Sequence, residues 1–448
     1  MAPLVAFYGD DLTGSTDTLS VISEGGLKTL LFLGPPTSGA LAAAGPLDAI
    51  GIAGAARTMS PAEMDQQLPV MFDALKATGA RLIHYKVCST FDSSPTVGNI
   101  GHAIALARPR FRRGFVPIVV GQPGIGRYCS FGNLFAAVTT GGAIYRLDRH
   151  PTMARHPVTP MDEADLRMLL ARQGLPRVAL LDIRHLRSDR RVAIFADLLR
   201  EEPDAVLFDV LEESDFAAIG GLIGGQLEAG EPVFGVGSSG LQQALLAGWD
   251  RLASTRLATL PPPPEQSPEV VLIVSGSRSP VAAGQIEMAG RAGFALCALQ
   301  PQCLVDPIAA PPYIAEVAAE VASHIATGRS AVAHTSMGPD DRRRLADGSR
   351  QALERLARAC GLLAKAVLAQ VPLRRLGFAG GDTSTFAARA MGIRALAYEF
   401  RSAPGVTVCR VRASGPLDGL QVMLKGGQMG QPDLYSRLAA GQVEEGSA

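Results

Sequence analysis

The sequence predicts an α/β protein of two domains, each on a mostly parallel, doubly wound sheet, joined by a proline-rich linker. Three observations predict it. Short apolar runs alternate with helical patterns in both halves, as expected of parallel strands covered by helices. Leu260-Pro261-Pro262-Pro263-Pro264-Glu265-Gln266-Ser267-Pro268 can be neither helix nor central strand and reads as a stiff, extended connection. Finally, three strand-to-helix junctions combine glycine with Asp, Thr or Ser, where backbone N–H groups and a helix dipole can meet an anion. These junctions make a ligand-binding enzyme the leading reading.

In the N-terminal half, residues 3–8 read as a strand, 14–24 as a helix ending at Gly25-Gly26, and 29–33 as the next strand. Strands at 49–53, 81–85, 118–120, 178–181, 205–208 and 233–236 continue the series. In the C-terminal half strands are expected at 269–274, 294–299, 330–335, 374–379 and 395–399. The longest helix is expected near 341–369, where Leu353, Leu356, Cys360, Leu363 and Val367 keep the spacing of one apolar face. The expected domains are 1–257 and 268–448, both of ordinary size. Ligands of such sheets bind beyond the carboxyl ends of the strands.

Composition narrows the function classes. The 42 basic and 42 acidic residues balance, and aromatic content is 5%, so neither nucleic acid nor a membrane surface is an expected partner. No apolar run approaches the roughly 20 residues that cross a bilayer. No basic n-region or cleavage site precedes the first strand-like run, and the reading is a cytoplasmic protein. The six cysteines form no CxxC pair, which favours free thiols over disulfides or zinc. Only five basic residues are lysine, and two of these, Lys86 and Lys425, fall inside motif-like segments.

The first junction, Gly9-Asp10-Asp11-Leu12-Thr13-Gly14-Ser15, sets two carboxylates at a strand end. One can accept a hydroxyl proton or bind hydroxyls, while Asp11 or Thr13 can cap the following helix. His84-Tyr85-Lys86-Val87-Cys88-Ser89-Thr90-Phe91-Asp92 follows another strand, and its cation with adjacent hydroxyls suits a hydroxylated anion such as a sugar acid. The loop His150-Pro151-Thr152-Met153-Ala154-Arg155-His156 can bind a carboxylate; without a carboxylate at ligand spacing, a metal is the weaker choice. Gly121-Gln122-Pro123-Gly124-Ile125-Gly126 only superficially resembles a dinucleotide fingerprint. Gly237-Ser238-Ser239-Gly240 lacks the nucleophile-elbow pattern. The second and third junctions are Ser275-Gly276-Ser277-Arg278-Ser279-Pro280 and Gly380-Gly381-Asp382-Thr383-Ser384, the latter expected to start a helix capped by its Asp, Thr or Ser. Lys425-Gly426-Gly427-Gln428-Met429-Gly430 resembles half of a Walker A loop.

Taken in order, these segments resemble the four-carbon acid sugar kinase family, which includes kinases of threonate, erythronate, 3-oxo-tetronate and 3-oxo-isoapionate. The resemblance covers nearly the whole chain and is most specific at Gly380–Ser384, Pro404-Gly405-Val406 and Leu424–Gly430. It implies a sugar-acid domain followed by a nucleotide domain, with ATP and Mg²⁺ as cofactors; the stiff proline linker, which could let domains exchange between two chains, makes a homodimer the expected assembly. By resemblance, Ser277, Gly380, Gly381, Asp382, Thr383 and Gly427 contact ATP, and Asp10, Asp11, Lys86, Ser89 and Thr90 face the substrate. Asp92, Arg155 and His156 complete the expected substrate set, and Asp10, Asp11 and Asp382 are the candidate catalytic acids, with the metal ligands left open.

One departure bears on the substrate. Family members commonly read Lys-x-Asp-Ser-Thr-Leu-Arg-Gly where this chain has Lys86-Val87-Cys88-Ser89-Thr90-Phe91-Asp92-Ser93. An acid becomes Cys88 and a base becomes Asp92, which implies a different substrate within the family, an oxidised or branched sugar acid. The alternatives are a sugar-acid isomerase or aldolase using Lys86, and a non-catalytic small-acid binding protein. Only a kinase among the three should bind ATP.

Overall fold

The structure, a computed structural model, describes residues 2–111, 115–138, 141–156, 158–228, 232–249, 267–338, 341, 343, 345 and 347–443. Most of the proline-rich stretch, 260–266, lies outside the described residues. The chain divides into two compact units, Met1–Leu260 and Pro261–Ala448. Among the described residues no helix is long and apolar enough to cross a membrane.

The first unit opens with β1 (Val5–Gly9), β2 (Thr29–Phe32), β3 (Ala49–Ala53), β4 (Leu82–Lys86) and β5 (Val116–Val119). Next, β6 (Arg127–Ser130), β7 (Asn133–Ala137) and β8 (Ile144–Arg146) form a small antiparallel sheet of their own. The unit closes with β9 (Val178–Leu181), β10 (Ala205–Phe208) and β11 (Val233–Gly237). The main sheet is parallel, in the order β2-β3-β1-β4-β11-β5-β10-β9. From β1 the chain goes out to β2 and returns by β3, then crosses β1 to form β4 on its other side. The carboxyl ends of β1 and β4 therefore flank a switch point, where such sheets leave room for a ligand.

Large rings close the core beneath that point. Tyr8 and Tyr85 stack with centroids 5.8 Å apart, and Phe72 meets Phe234 edge-on at 5.3 Å. Phe72 belongs to the helix Pro61–Ala77, whose start is fixed by a capping box between Ser60 and Glu63. The packing leaves no room beside Tyr8: a Cβ on Gly54 would lie 1.8 Å from its hydroxyl.

In the second unit, β12 (Val271–Ser275), β13 (Ala295–Ala298), β14 (Ala331–His334) and β15 (Arg375–Ala379) are parallel. Three more strands follow: β16 (Ala395–Ala403), β17 (Val406–Arg412) and β18 (Gln421–Lys425). The order is β13-β14-β12-β15-β18-β17-β16, in which β18 is parallel to β15 and β17 is antiparallel to both β18 and β16. The sequence predicts β16 but neither β17 nor β18; Pro404-Gly405 turns the chain straight back from β16 into β17, with Gly405 at φ 67°. Here the switch point lies between β12 and β15. The expected long helix spans Arg350–Leu368, with Ser349 as its cap. Leu356, Cys360, Leu363 and Val367 are buried, but Leu353 is 44% exposed because it sits in the first turn, beyond the residues covering the stripe.

That helix positions the one after β15, Gly381–Met391, through a backbone approach at Gly361, where a Cβ would lie 2.4 Å from the Ala387 carbonyl oxygen. Gly361→Ala gains about 1 kcal/mol of helix propensity but forces the helices apart. The steric term should win, with a net loss of about 1–3 kcal/mol in denaturant unfolding. Unchanged or increased stability would show that the helices slide freely.

Candidate active site

At the β1–β4 switch point the backbone binds the two strand ends together: the Asp10 N–H donates to the Lys86 carbonyl at 2.9 Å. The two adjacent acids then divide their work. Asp11 caps the helix Leu12–Glu24, accepting from the Gly14 N–H at 2.7 Å and the Thr13 hydroxyl at 3.0 Å. Its carboxylate also pairs with the Arg57 guanidinium at 3.0 Å. Asp10 is buried, and its Oδ1 has no hydrogen-bond partner. Burial, reinforced by the Asp11 charge, pushes Asp10 up to about 7, although Arg57 and Lys86 oppose the shift.

Lys86 is buried on the same side. Its Nζ donates to the Val87 carbonyl at 2.9 Å and would lie 2.8 Å from a Cβ placed on Gly14. After β4 the chain turns through Phe91, which has φ 54°, and brings Asp92 back toward the site. Thr90 Oγ1 donates to Asp92 Oδ1 at 2.7 Å, and Cys88 Sγ lies 3.0 Å from the same hydroxyl. Burial would raise Asp92, but Arg57 and the Thr90 and Cys88 hydrogen bonds outweigh it and hold the carboxyl below its ordinary value. Cys88 is pushed up to about 12, chiefly by burial, and stays a thiol. His156 is lowered by burial and feels Asp92; its Nδ1 accepts from the Thr159 N–H at 3.1 Å. Ser89 is half-buried, and Arg155 is exposed on the histidine loop.

The structure thus gathers Asp10, Asp11, Lys86, Thr90 and Asp92, with His156 within electrostatic reach. Sequence reasoning missed Arg57, the cation between Asp11 and Asp92. Its only signal is a basic residue shortly after the strand Ala49–Ala53. A second polar group was also missed. Asp17, on the helix after β1, accepts from Ser239 Oγ at 2.5 Å and Gln122 Nε2 at 3.2 Å, joining that helix to the chain beyond β11 and β5. No local motif links these three residues.

In the second unit the junctions after β12 and β15 meet. A Cβ on Gly276 would lie 2.2 Å from Thr383 Oγ1, and one on Gly427 would lie 2.6 Å from Ser277 Oγ. Ser279 caps the helix Pro280–Arg291 and donates to the Gly427 carbonyl at 2.5 Å. The helix Gly381–Met391 starts differently from expectation. Its cap is Gly380, at φ 118°, and no side chain caps it. Asp382 is exposed, and the buried Thr383 and Ser384 lie within the helix, so among the described residues no side chain caps its first N–H groups. Lys425 departs from the Walker-like reading: fully buried, it donates to Gln285 at 2.8 Å, and burial lowers it to about 7. Gln285 in turn donates to the Met429, Gly430 and Gln431 carbonyls, each at 3.0 Å, which fixes the loop after Gly427.

The raised Asp10 has a stability consequence. Between 3.8 and about 7 the unfolded chain has released this proton while the folded chain keeps it. Stability attributable to this group therefore falls as pH rises through that window and stays low above it. Asp10→Asn, which cannot ionise, should be more stable than the wild type near about pH 8, by about 1–4 kcal/mol. Thermal melts should show the difference vanish near about pH 4. An equal difference at both values would mean that ionisation of Asp10 is not the cause.

Comparison with known proteins gives this geometry a context. Residues 5–245 match the family model of a sugar-binding N-terminal domain, and residues 272–435 match that of a nucleotide-binding C-terminal domain. A 3-oxo-isoapionate kinase of Paraburkholderia graminis is 40% identical over 98% of this chain and 95% of its own length. A 3-oxo-tetronate kinase of Methylobacterium radiotolerans is 30% identical (98% and 99%), and one of Cupriavidus necator 29% (97% and 96%). The fold is also that of Haemophilus influenzae protein HI1011 (TM-score 0.72, 24% identity, 98% of this chain and 99% of that one). A protein of Salmonella typhimurium LT2 shares it as well (TM-score 0.76, 23% identity, 97% and 98%). With both domain models matched and relatives aligned end to end, the chain belongs to the four-carbon acid sugar kinase family and is an ATP-dependent kinase of small sugar acids.

Proposed function

We propose that the chain phosphorylates a hydroxyl of a keto sugar acid, with 3-oxo-isoapionate as the first candidate. The observation that carries this reading is Asp92, held ionised by the Arg57 charge and the Thr90 hydroxyl, near Asp10, whose Oδ1 has no hydrogen-bond partner. An Asp92 held ionised adds a hydrogen-bond acceptor and engages part of the Arg57 charge. Such a site suits an acid carrying an extra hydroxyl more than one recognised through its carboxylate alone. The 40% identity to a 3-oxo-isoapionate kinase supports the same choice.

In this reading the first unit binds the acid. Lys86, Ser89, Thr90 and His156 hold its polar groups, with Arg155, exposed on the same loop as His156, as a further contact. Asp10 takes the proton of the acceptor hydroxyl as its oxygen bonds to the transferred phosphorus and ADP departs. The second unit fits a nucleotide: its glycines stand where a Cβ would collide with Thr383 and Ser277, and an uncapped helix start faces outward. Ser277, Gly380, Gly381, Thr383 and Gly427 would hold the ATP phosphates, and Asp382 would hold Mg²⁺. When bound, Mg²⁺ neutralises charge on the transferred group. An aldolase would need a neutral amine in an apolar pocket, whereas Lys86 lies beside carboxylates. Free cysteines support a reducing, cytoplasmic setting. We also read the protein as a homodimer, which light scattering can check.

The test is ADP release with Mg²⁺–ATP against a panel of four- and five-carbon sugar acids and their keto forms. The expected result is turnover highest with 3-oxo-isoapionate. Asp382→Asn should lose about 100-fold or more in kcat at unchanged melting temperature, because the exposed Asp382 makes no capping bond. Turnover confined to unoxidised four-carbon acids would overturn the substrate assignment, and a fully active Asp382→Asn enzyme would remove Asp382 from the metal site.

A further inference from the structure

At the sheet edge two strands beyond β12, and sharing no residue with the candidate phosphate cradle, three side chains of different chemistry converge. Cys297 projects from the edge strand β13 (Ala295–Ala298). Glu320 and His324 come from the helix Ala310–Ala326, spaced i and i+4 so that they share one face. The thiol sulfur, a carboxylate oxygen and an imidazole nitrogen lie within 4.8 Å of one another. Neither the reaction nor the nucleotide cradle uses any of them.

We propose that Cys297, Glu320 and His324 form a binding site for a thiophilic divalent cation of the zinc type. Zinc takes sulfur, nitrogen and oxygen ligands at about 2.0–2.3 Å, so donors around one ion stand about 3–4 Å apart. The observed separations, none above 4.8 Å, are close to that spacing. Cys297 is buried, His324 half-buried and Glu320 exposed, which gives the ion a path from solvent and leaves a fourth position for water. Among the described residues, the His324 ring has no hydrogen-bond partner. Calcium and magnesium are poor fits, because hard cations prefer oxygen ligands.

Two features oppose binding. Glu320 accepts from the Cys297 thiol, and the Arg329 charge is close enough to act on the same sulfur. Arg329 is held aside by hydrogen bonds to the Gly293 and Phe294 carbonyls, at 2.8 and 3.2 Å. Coordination replaces the S–H bond with a metal–sulfur bond and releases the proton to water, as zinc-type ions do to a ligating thiol. The bound ion would tie the edge strand to its covering helix and stabilise the folded second unit by mass action.

Cobalt(II) is the probe, since its thiolate complexes absorb visibly and its nucleotide complexes lack the sulfur-to-metal band. Full-length protein, treated with chelator and titrated with Co²⁺ without nucleotide, should develop that band at one equivalent and melt at a higher temperature. Cys297→Ser should abolish the band, and His324→Ala should weaken Co²⁺ binding by at least about tenfold, with circular dichroism confirming both folds. No sulfur band in the wild type overturns the proposal. So does a band that persists in Cys297→Ser or an affinity unchanged in His324→Ala.

Discussion

The candidate catalytic half of this protein depends on one electrostatic imbalance. Three carboxylates, Asp10, Asp11 and Asp92, are buried at the ends of β1 and β4, and two cations, Arg57 and Lys86, lie among them. Burial removes the water that would otherwise screen the surplus negative charge. Asp11 has an ion pair and a helix start, and Asp92 has Arg57, Thr90 and Cys88. Asp10 has an oxygen without a partner, so the surplus falls there and raises it to about 7. A carboxylate poised near neutrality can accept a proton from a hydroxyl during phosphoryl transfer and return it afterwards.

The second unit meets its substrate by different physics. Backbone is prominent there: glycines let the loops after β12 and β15 approach closely, and no side chain caps the helix after β15. The buried lysine of that region braces the loop after Gly427 through Gln285. Placing the positive potential in the backbone fixes it without side-chain ordering.

Much of this was legible in the sequence. Strands at 49–53 and 205–208 are found where apolar runs bounded by breakers put them, because fully buried parallel strands tolerate little else, and the half-buried edge strand at 178–181 follows the same pattern. The acid pair at Asp10 and Asp11 and the glycine junctions stood out because each concentrates its chemistry within a few residues. Arg57 and the Asp17–Gln122–Ser239 group did not, since their meaning arises only when distant strand ends become neighbours. The β16–β17 hairpin was obscured by long apolar strands whose alternation is broken by register shifts near Phe400 and Ala403. The helix cap at Gly380 differs from expectation for a local reason: Asp, Thr and Ser are good caps, but the chain enters the helix already at Gly380, before Asp382, Thr383 and Ser384, through a conformation that glycine alone adopts readily.

The pH dependence of kcat/KM with saturating Mg²⁺–ATP tests the charge imbalance most directly. The wild type should gain activity as pH rises through about 7, as Asp10 loses its proton. Asp11→Asn keeps a capping side chain but removes the neighbouring negative charge, so the rise should move to lower pH. A profile that is flat between about pH 5 and 9, or a rise unmoved in Asp11→Asn, would contradict the assignment of Asp10 as the group that carries the surplus charge.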